Sequence, residues 1–141
     1  MSQLRITHVV NASPVVPCFF RDAPDGLEIE YLSVALFDDP EADLLGALPG
    51  VVDFVARARR REGRVLIHCY AGQSRSVALA AGCLLAANSA LSADEAIEAV
   101  RRARPVAHPN LGFRRQLEMF AGGSRGAAGD ADEEGGVPGP A

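Results

Sequence analysis

Apolar and polar positions along the chain change period several times, and each change marks an element. Residues 5–10 form a short apolar run that reads as a buried strand. Residues 14–27 hold Pro14, Pro17, Pro24 and Gly26, and read as loop. Residues 28–36 return to a strand pattern. Residues 49–61 read as a helix, with Pro49 in the first turn and Val51, Val52, Phe54 and Val55 on its apolar side. Residues 64–68 are a third strand, and residues 75–88 are apolar on every face, as a buried helix is. Ser92-Ala93-Asp94-Glu95 is a capping box that opens a helix to about Ala103. Asn110 to Phe120 reads as the last helix. From Gly122 onward Gly, Ala, Pro and acidic residues dominate, a composition that predicts disorder. No internal repeat is visible. Strands alternating with helices predict an α/β fold, a short central sheet flanked by helices, over residues 1–121, with a tail over 122–141.

The length of 141 residues fits one domain. The longest apolar stretch, Val77 to Ala87, falls well short of the ~20 residues that a membrane span needs, so no membrane partner is expected. Met1-Ser2-Gln3-Leu4-Arg5 lacks the apolar core of a secretory signal, and Ser2 stands where N-myristoylation needs glycine. The cysteines, Cys18, Cys69 and Cys83, are odd in number and widely spaced. That predicts a reducing compartment, cytoplasmic or also nuclear. Cys83 falls inside a predicted helix and reads as core; Cys18 reads as a free thiol on a loop. Net charge is −4, and most of it resides in the tail, where Arg125 faces Asp130, Asp132, Glu133 and Glu134. The remainder is close to neutral, which argues against a nucleic-acid surface. All 14 basic residues are arginine. Arg57, Arg59, Arg60, Arg61 and Arg64 cluster at a predicted helix end, where they suit the negative end of the dipole; docking of acidic or phosphorylated substrates is a second use for them.

The densest chemistry lies in His68-Cys69-Tyr70-Ala71-Gly72-Gln73-Ser74-Arg75-Ser76. A strand precedes it and a helix follows it. In that arrangement the backbone N–H groups of the loop, together with the helix N-terminus, bind an anion such as phosphate. The same donors favour the thiolate of Cys69, so Cys69 is the candidate nucleophile. Arg75 carries a planar fork that matches two phosphate oxygens and can follow their charge into a transition state. Gly72 permits backbone conformations that a side chain resists. Ser74 and Ser76 are candidates to donate to the thiolate or to loop carbonyls, with Ser76 the better placed for the thiolate. His68 reads as a brace acting through its ring N–H rather than as a base. Cleavage of a phosphate monoester also needs a proton donor on another loop. Asp38 and Asp39 are the candidates, although Asp38-Asp39-Pro40 also reads as a turn that caps a helix. Asp43 reads as a helix-start residue. No cluster of His, Asp and Glu suggests a metal site.

This loop resembles the active-site loop of the dual-specificity protein phosphatases, within the cysteine-dependent protein tyrosine phosphatase superfamily. Three further stretches agree. Ile6 to Ser13 resembles an inner strand, Tyr31 to Pro40 the strand and loop that carry the general acid, and Arg104 to Leu117 the segment that buttresses the catalytic loop. The resemblance spans roughly residues 4 to 121. The lack of a docking domain is similar to the atypical, single-domain members. It implies a protein-tyrosine-phosphatase-like fold and hydrolysis of phosphotyrosine and phosphoserine/threonine in protein substrates, through a phosphocysteine intermediate and without metal or cofactor. It implies Asp38 as the acid, Asp39 as its shaping neighbour, and Asn110 as a hydrogen-bonding support of the loop. Asn110 is also a natural helix cap. Members usually carry two further strands and a helix ahead of the segment matching Ile6. Without them residues 64–68 are expected at a sheet edge, which favours self-association and leaves the oligomeric state open. The alternative reading is a pseudophosphatase, a phospho-site binding module with little turnover. Phosphoinositide phosphatases of the superfamily tend to place Lys in this loop, which is absent here. Relatives acting on RNA 5′ phosphates usually lack the acid. A sulfurtransferase would need neither the Arg-Ser ending nor the acid.

Overall fold

A computed structural model describes residues 5–13, 29–69 and 73–134, with side chains as far as residue 123. The predicted 14–27 loop, Cys18, and Tyr70, Ala71 and Gly72 lie outside the described residues. Three strands form one parallel sheet in the order β2-β1-β3: β1 (His8–Asn11), β2 (Glu30–Ser33) and β3 (Val65–His68). Central β1 is buried throughout. Asn11 pairs with both Ser33 and His68, so all three strands end level with one another. The segments leaving them therefore emerge together at the carboxyl end of the sheet, the usual place for a site in such folds.

The register is pinned at the opposite end by a buried histidine. His8 Nε2 is 2.9 Å from Glu30 Oε1 across the β1–β2 pair. Its Nδ1 is 2.7 Å from Thr7 Oγ1, which in turn accepts the Arg64 N–H at 2.9 Å. One polar chain thus ties the starts of all three strands, and the His8 ring packs edge-on against Phe54 at 5.4 Å.

Helix α1 spans Leu44–Arg60, beginning five residues before the sequence-predicted start, so that Pro49 lies inside it. The cause is a cap and two leucines. Asp43 Oδ1 accepts the Gly46 N–H at 2.9 Å, as expected of a helix-start residue. Leu44 and Leu48 are fully buried in line with Val51, which offsets the roughly 3 kcal/mol that an internal proline costs. The far end of α1 closes with Glu62 in the left-handed conformation (φ 59°). Gly63 N–H bonds to Ala58 O and Glu62 N–H to Arg59 O, a Schellman closure. Arg57, Arg59 and Arg60 occupy the last turn.

Helix α2 (Arg75–Ala87) runs through the middle of the helical layer and is buried on most faces. It meets α1 at Gly82, where an added Cβ would collide with the Leu48 side chain. Helix α3 (Ala93–Ala103) opens with the predicted capping box, Ser92 and Glu95 bonding reciprocally at 3.0 and 2.9 Å. Helix α4 begins at Leu111 and buries Phe113, Leu117 and Phe120 in the shared core. Its backbone stays helical to Glu134, where the sequence pattern predicts an end at Phe120 and disorder beyond. Once three apolar anchors have set the first turns, propagation adds a hydrogen bond per residue. Residues 135–141 are not described. No helix among the described residues is long and apolar enough to cross a membrane.

Candidate active site

Cys69 stands one residue beyond β3, at the level carboxyl end of the sheet, and α2 starts six residues later. The sulfur faces the first turn of that helix. Ser76 N–H points at Cys69 Sγ from 3.4 Å, and Ser76 Oγ lies 3.3 Å away. As a thiol, Cys69 donates its S–H to that hydroxyl; as a thiolate it receives the Ser76 O–H instead. A backbone donor, a hydroxyl and the positive end of α2 thus converge on one sulfur, all of which favour negative charge there. Ser76 is itself buried, so this geometry is held by packing.

The two serines divide their roles. Ser74 Oγ accepts the Asn110 N–H at 3.0 Å, turned towards the buttressing segment and not towards the sulfur. The Gln73 carbonyl accepts the His108 N–H at 2.6 Å. Residues 108–110 therefore grip the carboxyl half of the Cys69–Arg75 loop at two points, and buried Pro109 keeps the grip rigid. His68 braces through its main chain, its carbonyl accepting the Ala12 N–H at 2.8 Å. Burial lowers the pKa of its ring, which suits a neutral support.

Asn110 joins the two halves of the site. Its Oδ1 accepts the Phe113 N–H at 2.8 Å, capping α4. Its Nδ2 donates to Asp38 Oδ1 at 2.9 Å. The bond from Asn110 to the loop is made by its main-chain N–H, while its side chain caps α4 and bonds Asp38. Asp39 is occupied locally, its Oδ1 accepting the Glu41 N–H at 2.8 Å within its own turn. Of the two aspartates, Asp38 is thus the one tied to the loop that carries Cys69. Arg75 reaches the same segment, Nη1 donating to the Leu36 carbonyl at 3.3 Å.

Several supports left little trace in the sequence. Gly112 lets the start of α4 press on the Pro40 backbone, where a Cβ would collide with main-chain atoms. Gln116 clamps the end of the Asp38 segment, its Oε1 accepting from Leu45 N–H and its Nε2 donating to Ala42 O, both at 2.9 Å. The main-chain bonds of Leu36 and His108 have no residue-type signature; Gly112 and Gln116 were readable only as members of the buttressing stretch. The arginine cluster lies at the other end of β3 from Cys69, since Arg64 immediately precedes that strand. Cys83 sits in α2 among apolar neighbours, and burial pushes its thiol up to about 11. Among the described residues no group of three His, Cys, Asp or Glu is placed to hold a metal ion.

Comparison with known proteins agrees with this geometry. Residues 1–121 match the family described as "Dual specificity phosphatase, catalytic domain". The chain is 32% identical over 126 residues to dual specificity protein phosphatase 19 of Mus musculus, covering 89% of this chain and 54% of that protein. It is 38% identical over 115 residues to dual specificity phosphatase 28 of Mus musculus, covering 82% and 67%. The chain spans about half the length of the first of these relatives. Among solved structures, a mouse putative dual specificity phosphatase complexed with zinc tungstate superposes with a TM-score of 0.79 at 35% identity, covering 90% of this chain and 76% of the other. Both the sequence match over residues 1–121 and the backbone likeness give one answer: this chain belongs to the dual specificity phosphatase catalytic-domain family, with its protein-tyrosine-phosphatase-like fold.

Proposed function

We propose that this chain is a protein phosphatase that hydrolyses phosphotyrosine and phosphoserine/threonine in protein substrates. The observation that carries the reading is Asn110: one side chain caps α4 and holds Asp38, while its N–H holds the loop of Cys69 and Arg75. In the first step the Cys69 thiolate attacks phosphorus and forms an S–P bond as the bond to the leaving oxygen breaks. Asp38 delivers its proton to that oxygen. Arg75 leaves its contact with Leu36 and binds two of the equatorial oxygens. In the second step the Asp38 carboxylate takes a proton from water, the water oxygen attacks phosphorus, and the S–P bond breaks. Ser76 O–H receives the departing thiolate. Every atom in this cycle comes from the chain, the substrate or water. The thiolate chemistry calls for a reducing, cytoplasmic or nuclear setting.

The test is hydrolysis of a small aryl phosphate, with chelator present, by wild type and by Cys69→Ser. Metal-independent turnover lost in the variant supports the phosphatase. A folded wild type without turnover favours the second reading, a phospho-site binding module. One feature supports that reading: among the described residues β3, which delivers Cys69, is paired on one side only.

A further inference from the structure

Large apolar side chains exposed to solvent are few among the described residues: Phe37, Leu66, Val106, Leu111 and Met119. Their distribution is uneven. Phe37 is 63% exposed and lies between Leu36, whose carbonyl takes the Arg75 guanidinium, and Asp38. Leu111 is 67% exposed and directly follows Asn110. The Asp38–Asn110 hydrogen bond and the close approach of Gly112 to Pro40 lay these two segments side by side, so Phe37 and Leu111 flank one bonded pair. Val106, 50% exposed, lies two residues ahead of His108, whose N–H holds Gln73. Three of the five are therefore on segments bonded to the catalytic loop or to the acid. Each remains exposed although its immediate neighbour, Leu36, Ala107 or Gly112, is buried. Exposed apolar surface gathered at one place marks a binding surface more often than scattered residues do.

We propose that Phe37 and Leu111 form an apolar lip of the active site that selects phosphoprotein segments with a large apolar residue next to the phosphoresidue. The proposal rests on the phosphatase reading and adds the substrate class. The occupant follows from continuity with the site. A phosphate held by Arg75 near Cys69, with its leaving oxygen towards Asp38, places the residues adjoining the phosphoresidue against the segments that present Phe37 and Leu111. An aliphatic side chain there would cover apolar surface on both partners, whereas a serine would leave it wet. Covering part of such a side chain gives about a tenfold preference. The arginine cluster is at the opposite end of β3, so charge selection there would act far along the substrate, not beside the phosphoresidue.

The experiment uses two phosphotyrosine peptides, identical except that the residues on either side of the phosphotyrosine are Leu in one and Ser in the other. Wild type should show roughly tenfold higher kcat/KM for the Leu peptide, carried by KM. Phe37→Ser with Leu111→Ser should bring the ratio close to one, and Phe37→Leu should keep most of it. Direct binding to Cys69→Ser should show the same preference as a ratio of Kd values. A wild-type ratio near one, or an undiminished ratio in the double variant, overturns the lip. An equal loss on both peptides also overturns it, because that result means the two residues only position the Asp38 segment. Thermal unfolding of each variant establishes that it is folded. Hydrolysis of neither peptide nor an aryl phosphate by folded wild type removes the phosphatase reading, and the lip with it. Turnover of both peptides at equal rates removes the lip alone.

Discussion

Two neighbouring aspartates differ in their partners, and that difference sets their expected roles. Asp38 is bonded to Asn110, which also holds the catalytic loop, whereas Asp39 closes its own turn. Asp38→Ala should lower kcat about a hundredfold or more if Asp38 is the proton donor. Asp39→Ala should cost much less in kcat, because its carboxylate closes only its own turn. Steady-state kinetics with an aryl phosphate check both, and the assignment fails if the two results are exchanged. The cysteines divide in the same way. With its thiol pushed up to about 11 by burial, Cys83 is about one part in a thousand thiolate at pH 8. Cys69, with Ser76 N–H and the start of α2 aimed at it, should react with iodoacetamide at pH 8 while Cys83 is spared. Peptide mapping by mass spectrometry reads this directly.

The elements place those residues through a few close contacts. Helix α2 presents Ser76 to the sulfur at one end, and its contact with α1 at Gly82 fixes how deep it lies. Gly82→Val should destabilise the fold by about 1–3 kcal/mol, because Leu48 is fully buried and has little room to retreat. The closure of α1 offers the opposite case. Glu62 adopts φ 59°, a conformation that costs a side chain roughly 1 kcal/mol and costs glycine little. Glu62→Gly should raise the urea midpoint slightly, by up to about 1 kcal/mol in stability, with the m-value unchanged. Both effects are read from denaturant unfolding, and their signs are opposite.

On the scale of the whole molecule, helices and sheet work as a frame that brings distant segments to one end. Parallel strands ending level place the exits of β2 and β3 on either side of the end of β1, and Asn110 and α4 then tie residues 38–45 to Ser74. The same arrangement leaves β3 at an edge among the described residues, with Leu66 45% exposed. Its sequence, VLIH, has neither lysine nor proline to discourage further pairing. Concentration-dependent self-association is expected, and Leu66→Lys should reduce it in sedimentation velocity without lowering Tm. Unchanged association in Leu66→Lys would exclude this edge as its origin.

What the sequence by itself determined is local chemistry. Cys69, Arg75 and Ser76 stand within eight residues of each other, and their strand–loop–helix setting is written in the flanking apolar runs. The capping box of α3 was likewise legible, because a cap depends on neighbours in the chain. The early start of α1 and the length of α4 were not. The early start of α1 depends on burial of Leu44 and Leu48 against other elements, which outweighs a proline penalty that a local pattern takes at face value. The choice between Asp38 and Asp39 was open in the residues themselves, and the resemblance favoured Asp38. Only the tertiary structure shows Asn110 crossing 72 positions to reach it, since a hydrogen bond between segments so far apart exists only once the frame has brought them together.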